Sequence, residues 1–74
     1  MYDLQLLMEV LIDDYDLLVN GVDSDGIHFT LQYGMLVKDV DRYMRLISLY
    51  EPDLQGLNWK VYKVEGREYF LEVF

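Results

Sequence analysis

The chain has no cysteine, one histidine and one proline in 74 residues. Without cysteine there is no disulfide and no thiolate zinc site, which is compatible with a reducing compartment. Pro52 alone makes no proline-rich linker, and no internal repeat or low-complexity segment is visible. No apolar run approaches the roughly 20 residues that cross a bilayer. The first residues lack the basic stretch of a secretory signal. The expectation is one small domain, residues 1–74, in the cytoplasm.

Positive charge is missing from the first third. Residues 1–26 hold seven acids (Asp3, Glu9, Asp13, Asp14, Asp16, Asp23 and Asp25) and no Lys or Arg. The remaining residues hold seven acids and six bases, so the net charge of −8 divides into −7 and −1. Such a chain repels nucleic acid and anionic membranes and attracts basic surfaces.

Apolar residues are plentiful, at 53%. A small domain needs a dense core or a partner to be stable, and this composition supplies a core. It also leaves surplus apolar surface of the kind oligomers cover.

Periodicity predicts a helix over 3–14, with Leu4, Leu7, Met8, Leu11 and Tyr15 on one face and Gln5, Glu9 and Asp13 opposite. A strand over Leu6–Ile12 is the alternative, because short apolar runs fit both. Alternation over Ile27–Tyr33 predicts a half-buried strand. Asp23-Ser24-Asp25-Gly26 is read as the turn that pairs it with Asp16–Val22, with Gly26 at positive φ. The register of that hairpin is open, since Leu17, Leu18, Val19 and Val22 do not alternate.

A second helix is expected over 36–50, with Leu36, Val40, Tyr43, Met44, Ile47 and Tyr50 inward and Asp41 pairing Arg45. It ends before Pro52. Leu57–Phe74 reads as a hairpin about a three-residue Val64-Glu65-Gly66 loop. In that register Lys63 faces Arg67, Val61 faces Tyr69 and Trp59 faces Leu71. The apolar residues then share one face, and Tyr62 and Phe70 stand on the other. The fold class expected is α+β: helix, hairpin, helix, hairpin, with an antiparallel sheet of about four strands and helices on one face. Whether the hairpins join in one sheet is open.

Catalytic patterns are nearly absent. A Ser-His-Asp triad would have to draw on Ser24 or Ser48 with His28. Ser24 fits a turn and His28 a polar strand face. The Asp23–Gly26 segment lacks the calcium-loop ligands that would fall at Gly21 and Gln32. Asp13 and Asp14 form a carboxylate pair, but a chain this short rarely builds the cleft that glycoside chemistry needs. With Asp16, they fall at a predicted helix C-terminus, where negative charge opposes the macrodipole. A polar loop is the plain account of them; a binding role is the other. Lys38, Arg42 and Arg45 make a basic strip that Asp39 and Asp41 interrupt.

The function expected is therefore non-enzymatic: an acidic protein-binding module without cofactor, metal, membrane or direct nucleic-acid contact. Its partner would be a basic surface, such as that of a nucleic-acid-binding protein, which carboxylates occupy in place of phosphates. The residues assigned to that contact are Asp3, Glu9, Asp13, Asp14, Asp16, Asp23 and Asp25, with Tyr62 and Phe70 as exposed aromatics. In size and acidity the chain is similar to small phage-encoded inhibitors, including anti-CRISPR proteins. That likeness is one of class, with no motif, so no residue is carried over. The alternative is a small homo-oligomer, such as a dimer, whose acids serve only solubility.

Overall fold

The computed structural model describes residues 2–74, which form an α+β fold. Helix α1 spans Leu4–Tyr15, β1 Leu18–Asp23 and β2 Gly26–Thr30. Helix α2 then spans Val37–Tyr50, a 3-10 turn covers Pro52–Leu54, and β3 (Trp59–Glu65) and β4 (Glu68–Val73) follow. One four-stranded antiparallel sheet runs β1-β2-β4-β3. The hairpins thus join through β2 and β4. The chain is two α-β-β units placed symmetrically about that central pair.

Helix α1 begins where Asp3 caps it. Its carboxylate accepts from the backbone N–H of Gln5 at 3.0 Å and of Leu6 at 3.2 Å, satisfying donors that the first turn leaves free. Leu7 and Leu11 are fully buried, as the spacing predicts. At α2 the Asp39 carboxylate reaches back to accept from Leu36 N–H at 2.8 Å. Val40, Met44 and Ile47 are buried. Leu36 and Tyr50, expected on that inner face, are exposed. Leu36 precedes the first helical turn, and Tyr50 ends the last. Leu54, from the turn that Pro52 opens, is fully buried near the end of α2.

Both helices contribute to a core completed by Ile27 and Phe29 of β2 and Leu71 of β4. Burying one such side chain stabilises by about 1.5–3 kcal/mol. This core lies on one sheet face. The opposite face has no covering helix.

Three turn-level expectations are corrected. First, β3 and β4 meet through a two-residue Gly66-Arg67 turn, with Gly66 at φ 57° and an irregularity between Lys63 and Glu65. Trp59 therefore faces Val73, Val61 faces Leu71, and Lys63 faces Tyr69. Glycine in the first turn position suits the hairpin twist. The register differs from expectation by two residues, so each side chain keeps its face.

Second, Gly26 has no positive φ. An added Cβ there would lie 2.0 Å from the Leu71 carbonyl oxygen and 2.8 Å from the Phe70 ring. Glycine is needed because β4 passes so close.

Third, β2 stops at Thr30. Arg67 donates from Nε to the Leu31 carbonyl at 2.5 Å and from Nη2 to that of Gln32. Beyond it the chain turns at Gly34, φ 86°. Tyr33, expected inward, projects into solvent at 99% exposure. The predicted Asp41–Arg45 pair is also absent. Asp41 accepts from Trp59 Nε1 at 2.9 Å instead, tying α2 to β3.

Candidate functional site

The expected binding residues fall into three places. Glu9, Asp13, Asp14 and Asp16 lie exposed along the outer side and C-terminal end of α1. Asp13 and Asp14 occupy its last turn. Asp16 follows at φ 54°, its backbone N–H bonded to the Ile12 carbonyl. Aspartate tolerates this left-handed cap, yet all three charges stand at the negative end of the helix dipole. Local stability does not call for them.

Asp3, Asp23 and Asp25 lie at the other end of α1. A cavity of about 330 Å³ there is lined by Tyr2, Leu4, Ser24, Asp25, Val73 and Phe74, which sets the helix start beside the β1–β2 turn. At 1.5 Å per residue, Glu9 lies about 9 Å along the helix from Asp3, and Asp13, Asp14 and Asp16 about 15–20 Å. Asp3 is occupied as the N-cap. Asp23 accepts from Asp25 N–H at 3.0 Å and meets His28 Nε2 at 3.0 Å. The Asp25 amide first, and then His28, hold the Asp23 carboxyl below the usual carboxylate range.

The third place is the uncovered sheet face. His28 of β2, Phe70 of β4 and Tyr62 of β3 are direct cross-strand neighbours. The His28 and Phe70 rings are 4.7 Å apart between centroids, tilted by 47°. Tyr62 Oη donates to Glu72 Oε1 at 3.2 Å. Tyr62 is exposed, whereas Phe70, expected to be exposed as well, is half-buried between its neighbours. The structure thus brings Asp23, Tyr62 and Phe70 together through His28. It leaves Glu9 and Asp13–Asp16 on another surface.

Alternation in the sequence puts His28 on a polar strand face but does not link it to Phe70. That link follows from the β2–β4 pairing, and alternation within each hairpin does not reveal which strands of different hairpins meet. Glu65, Glu68 and Glu72 belong to the same face and were not singled out.

The charge distribution has one further property. Among the described residues, the only ion pair within 4.0 Å is His28–Asp23. No Lys or Arg lies at that distance from any carboxylate. Arg67 points at carbonyls and lies 5.9 Å from the Tyr33 ring centroid. The acids of α1 keep their charge uncompensated by direct contact.

His28 is engaged with Asp23, and Ser48 Oγ donates to the Arg45 carbonyl. Among the described residues, no three His, Asp or Glu side chains converge as metal ligands, and no helix is long and apolar enough to cross a membrane.

No known family, curated protein or solved structure matches this chain.

Proposed function

We propose that the chain is a non-enzymatic acidic module that binds a basic protein surface, and that the surface it blocks is one built to hold nucleic acid. The observation that carries this reading is the exposed acidic ridge of α1, which no Lys or Arg contacts. Glu9, Asp13, Asp14 and Asp16 place four carboxylates along about 10 Å of helix axis. That is one per roughly 3.5 Å, close to the ~3.4 Å per phosphate of a single DNA strand. At 3.6 residues per turn Glu9 and Asp13 share one side of the helix and Asp14 lies about 140° round from Glu9, so a groove lined for one strand would meet a patch of comparable axial charge density. Asp3, Asp23 and Asp25 extend the negative field at the other end of the molecule. A phage-type inhibitor, such as an anti-CRISPR protein, would use a surface of this kind.

A second reading, self-association, draws on the half-exposed Leu18 and on Val64 at the sheet edges. The apolar first helix supports it less, since Leu6 and Val10 pack against the core.

The two readings separate by salt and charge. Proteins captured from a bacterial lysate by the wild type are compared with those captured by an Asp13→Lys/Asp14→Lys/Asp16→Lys variant. The captured protein is then tested for loss of duplex DNA binding when the wild type is added. Capture by the wild type alone, released by salt and competitive with DNA, is the expected result. Equal capture by both proteins would overturn the proposal.

A further inference from the structure

We infer that the uncovered sheet face receives an arginine-bearing segment of the basic partner, held against the Tyr62 and Phe70 rings by the carboxylates of Glu72, Glu68 and Asp23. This inference rests on the reading above and adds to the α1 acids a second contact surface and the partner side chain that it grips.

The helices leave this face bare, and its centre is the aromatic row His28–Phe70–Tyr62. Tyr62 is 44% exposed. A cation is attracted to the face of such a ring. Of the neighbouring carboxylates, Glu65, Glu68 and Glu72 are paired with no Lys or Arg, and Asp23 meets only His28. Glu72 is held by the Tyr62 hydroxyl. Lys60 stands opposite it in the ladder yet makes no ion pair with it. Glu65 and Glu68 face each other directly across β3 and β4. Like charges so placed oppose the pairing, and an incoming cation relieves that repulsion. Asp23 closes the far end of the row.

Charge decides among occupants. Aromatic residues on an open sheet can stack nucleic-acid bases, but Asp23, Glu65, Glu68 and Glu72 outnumber Lys60 here and repel phosphate. A second copy laid face to face would set these carboxylates against their own kind. A basic segment meets neither obstacle. Arginine suits the site better than lysine, because its planar guanidinium stacks on a ring while forking to a carboxylate.

The test is a titration of isotope-labelled protein, followed by backbone amide shifts. The probes are a synthetic Arg-Gly repeat peptide, its Lys-Gly counterpart and a short oligothymidylate. The expected result is perturbation centred on β2, β3 and β4, with the arginine peptide binding several-fold tighter than the lysine peptide. Tyr62→Ser and Glu72→Gln should each weaken arginine binding about five- to tenfold. Tyr62→Phe, which keeps the ring, should retain most of it.

Amide dispersion shows that each variant is folded, and the near-isosteric Glu72→Gln serves if Tyr62→Ser is not. Salt-sensitive binding of both peptides centred on residues 13–16, indifferent to Tyr62 and Glu72, would overturn this inference and leave the acidic-module reading standing. Absence of binding by either peptide at low salt would overturn both. Oligothymidylate shifting the same sheet amides would also overturn the inference, assigning the face to nucleic acid.

Discussion

The two α-β-β units have the same element order and opposite electrostatic character. The first, through Thr30, carries seven acids and no base; the second carries seven acids and six bases. Both bury the same kind of stripe, Leu7 and Leu11 in one helix and Val40, Met44 and Ile47 in the other. Packing is therefore satisfied by two units whose charges differ by six. The asymmetry is not a requirement of this fold. In α2 the acid at the helix start, Asp39, completes a cap. In α1 the acids at the helix end, Asp13, Asp14 and Asp16, oppose the dipole. Both halves use acid at a helix start, Asp3 in α1 and Asp39 in α2, but only the first also retains it in the last turn of its helix.

The comparison depends on the units being joined, so the largest effect is expected where they meet. Gly26→Ala would drive a methyl group into the Leu71 carbonyl. Overpacking against backbone here should cost about 3 kcal/mol or more, a large share of a small domain's stability. The check is a fall in the urea midpoint with loss of cooperativity.

Next comes Arg67→Ala, which removes two charge-assisted hydrogen bonds to the Leu31 and Gln32 carbonyls. A loss of about 1–3 kcal/mol is expected, with faster hydrogen exchange across 31–34 as the local signature.

The helix ends supply a pair of predictions of opposite sign. Asp39→Asn weakens a charged cap and should cost about 0.5–1 kcal/mol. Asp13→Asn/Asp14→Asn/Asp16→Asn removes three charges from an unfavourable helix end and should raise stability by about 1 kcal/mol. Thermal melts at low salt measure both.

The smallest effect concerns pH. The folded-state carboxyl of Asp23 lies below its ordinary value, so its contribution is present above the unfolded-state value. It is lost as pH falls through the lowered folded value. Asp23→Asn should flatten the acid limb of the stability curve slightly, leaving neutral pH nearly unchanged.

Much of this architecture is legible in the sequence, and what is not has a common cause. Helical spacing in Leu4–Tyr15 and Val40–Ile47 places both helices, because one apolar stripe must face a core. Alternation in β3 and β4 assigns the faces of Trp59, Val61, Tyr62, Phe70 and Leu71. Properties set by distant neighbours escape that logic. Gly26 looks like a turn glycine, but its role comes from Leu71, far along the chain. Arg67 looks like an exposed charge at a hairpin end, but its partners are carbonyls of the β2–α2 loop. The Gly66-Arg67 turn competes with a three-residue alternative that preserves the same faces, so patterning does not separate them. At the candidate site, the acids of α1 can be read from composition and helical spacing. The His28–Phe70–Tyr62 row requires knowing that β2 and β4 are neighbours.

The central claim is that the acids at the C-terminal end of α1 serve binding and not folding. The most direct test measures both properties on one variant, Asp13→Asn/Asp14→Asn/Asp16→Asn, which preserves shape and removes three charges. The account predicts a higher thermal midpoint than the wild type together with loss of salt-sensitive capture of a DNA-binding partner. A lower midpoint with capture unchanged would contradict it, showing that those carboxylates hold the fold and do not meet the partner.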